Sequence, residues 1–114
     1  MTNHAEMTTE YWLRFTLDQQ ILMIGNEMNR ASKFMSVEDA ERRKNCYERA
    51  LRLADLTLEV QPNRSLRREL LLWREFVADL NLRQTAEPEA HNTAFKCLLC
   101  LTPEAAKQVA FLNL

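Results

Sequence analysis

Apolar residues return every three or four positions through the first third of the chain. Leu17, Ile21, Ile24, Met28, Ala31 and Met35 are spaced by four, three, four, three and four, which places them on one buried face of an α-helix. Tyr11, Trp12, Phe15 and Leu22 widen that face. Thr8 or Thr9 with Glu10 offers a capping hydroxyl and an acid for the helix start. The stripe runs through Gly25-Asn26 in phase. The pattern therefore predicts one continuous helix to about Lys33, with Gly25 either admitting a close neighbour or marking a mild kink.

A second helix is predicted from Ser36, where Asp39 three residues on makes a capping box with a shorter acid. Its polar side is Glu38, Glu41, Asn45, Glu48, Arg52, Asp55 and Glu59, and its apolar side mixes Ala40, Tyr47, Ala50, Leu51, Ala54 and Leu58. Glu38/Arg42, Asp39/Arg43 and Glu48/Arg52 stand at the i,i+4 spacing that favours ion pairs. Pro62 ends this helix at Val60 or Gln61, because the residue before proline avoids helical geometry. Asn63 caps a third helix with the core stripe Leu66, Leu70, Trp73, Val77 and Leu80. Leu72 and Phe76 form a second apolar ridge on it.

After a loop at Gln84–Pro88 the pattern shortens. A helix is expected over about Glu89–Cys100, and Thr102-Pro103-Glu104 restarts a last short one with a capping hydroxyl, a proline at the first position and an acid. No segment alternates with period two. The expected fold is all-α: an antiparallel up-and-down helical bundle of three long helices plus a broken fourth of two short helices. It would form a single domain over 1–114, with 1–8 flexible.

Composition removes several function classes. Gly25 is the only glycine among 114 residues, and neither a P-loop nor a dinucleotide fingerprint can be written with one. Fifteen basic and sixteen acidic residues give a net charge of −1, so general binding to nucleic acid or an anionic membrane is not expected. Ile21–Ile24 and Leu70–Trp73 are too short to span a bilayer, and Met1–Glu10 lacks the basic and apolar regions of a signal peptide. Three cysteines without the density of a disulfide scaffold fit a reduced cytoplasm.

Cys97-Leu98-Leu99-Cys100 is the sharpest local motif. Two thiols at i,i+3 could hold a soft metal, with His91 as a third ligand, or form a redox couple. The pair falls at a helix C-terminus, where the dipole disfavours thiolate, and among leucines. Core packing is the expected role, with no cofactor. The carboxylates, Glu27, Asp18, Glu69 and Glu75 among them, are read as solvated flanks of the apolar stripes. Arg42-Arg43-Lys44 and the set Arg64, Arg67, Arg68 and Arg74 are the two basic clusters. The second is a candidate patch for an anion or a partner protein.

Arg14-Phe15-Thr16-Leu17, followed by Gln19 and Gln20, resembles a short signature in the four-helix accessory proteins of diversity-generating retroelements, which implies a four-helix, nucleic-acid-binding protein. That family is basic and carries a whole helix ahead of the signature. Here thirteen residues precede Arg14 and the charge is −1, so no residue role is carried across.

The expected function is that of a non-catalytic adaptor or accessory protein acting as a homodimer or small oligomer, or on another protein. Its motivation is an excess of large apolar positions. Tyr11, Trp12, Phe15, Phe111, Leu112 and Leu114 are the candidate interface residues, with Leu72 and Phe76 as further excess. The alternatives are a helical-bundle enzyme or metal- or ligand-binding protein, and a nucleic-acid accessory protein acting through the arginines of the third helix.

Overall fold

The computed structural model describes residues 8–112 and 114. Apart from Thr8, the segment expected to be flexible lies outside the described residues. Thr8 caps α1 (Thr9–Trp12), its hydroxyl accepting from the Tyr11 N–H at 3.1 Å. The first predicted helix is in fact two. Thr16 is extended, and it forms a capping box with Gln19 that starts α2 (Leu17–Ala31): the Thr16 hydroxyl accepts from Gln19 N at 3.2 Å and the Gln19 side chain accepts from Thr16 N at 2.8 Å. The Gln20 amide then donates to the Trp12 and Phe15 carbonyls, both at 3.1 Å, and ties α2 back to the turn that ends α1; the Trp12 carbonyl accepts from the Phe15 N–H as well. A local Thr-x-x-Gln signal inside the apolar pattern overrides the stripe's continuity.

Ser36 opens a 3₁₀ turn, Val37–Asp39, before α3 (Ala40–Val60). The expected capping box does not form, because the Ser36 hydroxyl donates to the Asp39 carboxylate at 3.0 Å instead of accepting from backbone. Asp39 pairs with Arg42 and Glu48 with Lys44, while Arg43 turns inward and donates to the Phe34 carbonyl at 2.9 Å. Gln61 leaves the helix in extended geometry ahead of Pro62, as expected, and Asn63 caps α4 (Arg64–Leu82) by accepting from Leu66 N at 3.0 Å. Pro88 takes the first position of α5 (Pro88–Leu99). Thr102 and Pro103 start α6 (Pro103–Ala106), and a further turn, α7 (Val109–Leu112), follows. Tight i,i+3 bonds at Lys107 and Gln108 divide the last expected helix in two.

The fold is an all-α helical bundle, with no strand among the described residues. α2 packs on α3, α3 on α4, α4 on α5 and α5 back on α2. The core runs through all four: Ile21, Ile24, Met28, Leu53, Leu70, Val77 and Leu98 are fully buried. The radius of gyration, 13.5 Å, is what a close-packed chain of this length gives, about 13 Å. Gly25 serves close approach. A Cβ there would stand 3.3 Å from Leu99 Cδ2 and 3.5 Å from Phe95 Cε1, so its missing side chain lets α5 lie against α2.

Candidate functional site

α5 buries His91, Ala94, Phe95, Leu98 and Leu99, which leaves Thr93, Cys97 and Cys100 on a flank one helical row away. α4 buries Leu70, Trp73, Val77 and Leu80 and presents Glu69, Leu72 and Phe76 towards that flank. Two rows of i, i+3/i+4, i+7 spacing thus face each other across an apolar groove of about 500 Å³, which Leu101 also lines. Trp73 also lines it and ties α4 to α5 there, the indole N–H donating to the Ala94 carbonyl at 2.8 Å. The α4 bank continues outwards as exposed apolar surface: Leu72 is 61% exposed, Leu71 47% and Phe76 42%.

The cysteine expectation is overturned. Cys97 and Cys100 are exposed, because the core row of α5 is set by Ala94, Phe95, Leu98 and Leu99, one step round the helix from the thiols. The buried cysteine is Cys46, whose thiol burial pushes to a higher pKa and which accepts from Arg49 at 3.4 Å. His91 is fully buried and bonded elsewhere, so it does not join the pair. Among the described residues no group of three or more His, Cys, Asp or Glu side chains is placed to hold a metal.

His91 instead links three helices. The Tyr47 hydroxyl lies 2.8 Å from Nδ1 and the Ser32 hydroxyl 2.8 Å from Nε2, while Ser32 donates its own proton to the Met28 carbonyl at 3.1 Å. Only one arrangement gives every contact a hydrogen: Tyr47 donates to Nδ1, Nε2–H donates to Ser32, and Ser32 donates to Met28. Burial lowers the His91 pKa to about 4 and raises that of Tyr47 to about 12, so both are neutral near pH 7. With its proton on Nε2 the imidazole cannot take one from Ser32, and neither residue lines the α4–α5 groove. The chain Tyr47–His91–Ser32 joins helices; it does not activate a nucleophile.

Glu27 was expected on a solvated flank and is 2% exposed, bound by Arg30 and Arg49, each at 3.0 Å. It stands beside Met28 on the flank of the apolar stripe, and that flank is covered by Arg49 of α3, which the spacing within α2 does not show.

The candidate interface residues divide. Trp12 is withdrawn from the surface: it is fully buried and its indole N–H donates to Thr57 Oγ1 at 2.8 Å, because the break after α1 turns the ring onto α3. Phe15 packs edge-on to Trp12 and is half-buried, as are Leu112 and Leu114. Tyr11 is exposed beneath the Arg14 guanidinium, and Phe111 is 80% exposed. Of the basic set, Arg64, Arg67 and Arg68 gather with Leu58, Ser65 and Leu71 around one shallow groove. Arg74 is held apart by a two-point bond to Asp55 on α3. The other cluster is dispersed: Arg43 is buried, and Arg42 and Lys44 are paired with acids. The arginines of α4 therefore do not continue into a basic face on α3.

Compared with family models, curated proteins and solved structures, the chain matches none of them. No helix among the described residues is long and apolar enough to cross a membrane.

Proposed function

We propose that this protein is a non-catalytic association module that joins to a second copy of itself through the outward face of α4 and the groove beside it. The observation that carries the reading is the exposure of Leu72 and Phe76, one turn apart on α4, with exposed Leu71 adjoining Leu72 on the outward side. Apolar side chains of this size standing together on a surface are characteristic of interfaces. The polar residues of the interior support a non-catalytic role, since His91, Tyr47, Ser32 and Glu27 are committed to one another or to neighbouring groups.

The face has the dimensions of a modest interface. A 19-residue helix is about 28 Å long. With the groove alongside, a second copy would cover roughly 600 Å² per protomer, at the lower end of stable association. Dissociation in the micromolar range is expected. Sedimentation equilibrium of the wild type and of Leu72→Glu tests this: dimer mass at high micromolar concentration, lost in the variant, is the expected result. A wild type that stays monomeric throughout would refute the reading.

A further inference from the structure

The row of α4 side chains that points farthest from the core carries a charge order that is its own complement. Leu70, Trp73, Val77 and Leu80 face inward, so the opposite side of the helix is formed by Arg64, Arg68, Leu71, Leu72, Glu75 and Asp79, all exposed. Along the helix this row is basic, then apolar, then acidic. Its two halves are related about a point midway between Leu71 and Leu72: Arg68 and Glu75 lie equally far from it, and so do Arg64 and Asp79.

Within one copy the basic end is unfavourable. Arg64 has Arg67 at i+3 and Arg68 at i+4, no acid lies in the first turn, and the helix dipole is positive there. Among the described residues none of these three arginines forms an ion pair within the chain. Acids are absent from the i±3 and i±4 positions of all three. Arg74, by contrast, sits beside its carboxylate on α3.

We infer that α4 packs antiparallel on the α4 of a second copy about a two-fold axis between Leu71 and Leu72, with Arg68 facing the partner's Glu75 and Arg64 facing the partner's Asp79. The inference rests on the self-association reading and names its register. A two-fold axis generates each pair twice and gathers four leucines at the centre. A parallel arrangement sets arginine against arginine and acid against acid, so the charge order selects the antiparallel one. Asp79 already accepts from Arg83 of its own chain at 2.9 Å on exposed surface, and a carboxylate has acceptor sites for a second guanidinium. With the axis lying in the interface, both α4–α5 grooves fall on the same side of it, so Leu72 and Phe76 of each copy line one shared apolar seam.

Charge reversal with mixing tests the register. Arg68→Glu alone and Glu75→Arg alone should each weaken self-association by at least about tenfold, because each places like charges opposite one another twice. The double variant should regain wild-type affinity. An equimolar mixture of the two single variants should form a heterodimer as tight as the wild type, since both of its cross pairs are then of opposite sign. Urea midpoints, expected to stay near wild type because both positions are exposed, show that the variants are folded. Single variants that associate like wild type, or a mixture that stays monomeric, would overturn the register. If Leu72→Glu is monomeric while the charge variants are not, the face stands and the register falls; a monomeric wild type defeats the association reading itself.

Discussion

Acidification should weaken this fold through His91 in particular. Burial holds its pKa at about 4, against 6.5 for an ordinary histidine, while the nearby Met28 carbonyl pulls weakly the other way. A depressed pKa means that the folded state resists the proton. Between pH 6.5 and 4 the unfolded chain therefore takes up a proton that the folded chain refuses. The stability concerned is fully present above pH 6.5 and is lost as pH falls towards 4. At about 1.36 kcal/mol per unit, the loss amounts to about 3 kcal/mol, a large share of the roughly 5–15 kcal/mol that holds a domain together. The structural reason is burial: His91 is fully enclosed, and although the Tyr47 hydroxyl could turn to accept from a protonated Nδ1, it brings no counter-charge to an imidazolium cut off from water. Urea melts of the wild type and His91→Asn at pH 7 and pH 4.5 isolate the effect, because the carboxylates titrate in both. The stability gap between the two proteins should narrow by about 2–3 kcal/mol on acidification. An unchanged gap, or an NMR titration that places His91 near 6.5, would refute the reasoning.

Three further expectations concern the core and the thiols. Gly25→Leu drives a side chain into Leu99, Phe95 and Leu98 and should cost about 3 kcal/mol or more, read as a drop in urea midpoint. Trp12→Phe keeps most of the buried ring but removes the bond to the fully buried Thr57 hydroxyl; chemical denaturation should show a loss of about 1–3 kcal/mol. Ellman's reagent should react rapidly with Cys97 and Cys100 in monomeric native protein and with Cys46 only on unfolding, and replacing the exposed pair by alanine should change stability by less than about 1 kcal/mol.

The helices were legible where the signal is periodic and local. The α2 and α4 stripes, the Asn63 and Thr102 caps and the stop before Pro62 follow from spacing and side-chain chemistry that act within one or two turns. The site was half legible. Leu72 and Phe76 stood out as apolar positions beyond the core stripe, yet the groove they border depends on the rotation of α5, which sequence spacing does not determine. At the end of α5, Cys97, Leu98, Leu99 and the following Cys100 are all apolar or small, so the burial of Leu98 and Leu99 over Cys97 and Cys100 is decided by packing against α2 and α4. Trp12 shows the same limit from another side. Its burial follows from a helix break at Leu13–Thr16 that competes with an apolar pattern continuous on both sides. Glu27 does stand on the flank of its stripe, as its spacing says, and its burial comes from α3, whose Arg49 covers that flank.

The measurement closest to the central claim detects contacts between copies directly. A sample that mixes isotope-labelled with unlabelled protein at high micromolar concentration, observed by isotope-filtered NOE spectroscopy, reports only protons of one copy near protons of another. The account predicts intermolecular signals among the Leu71 and Leu72 methyls, extending to the Phe76 ring. Intermolecular signals confined to Phe111 or Tyr11, or none at all, would contradict it.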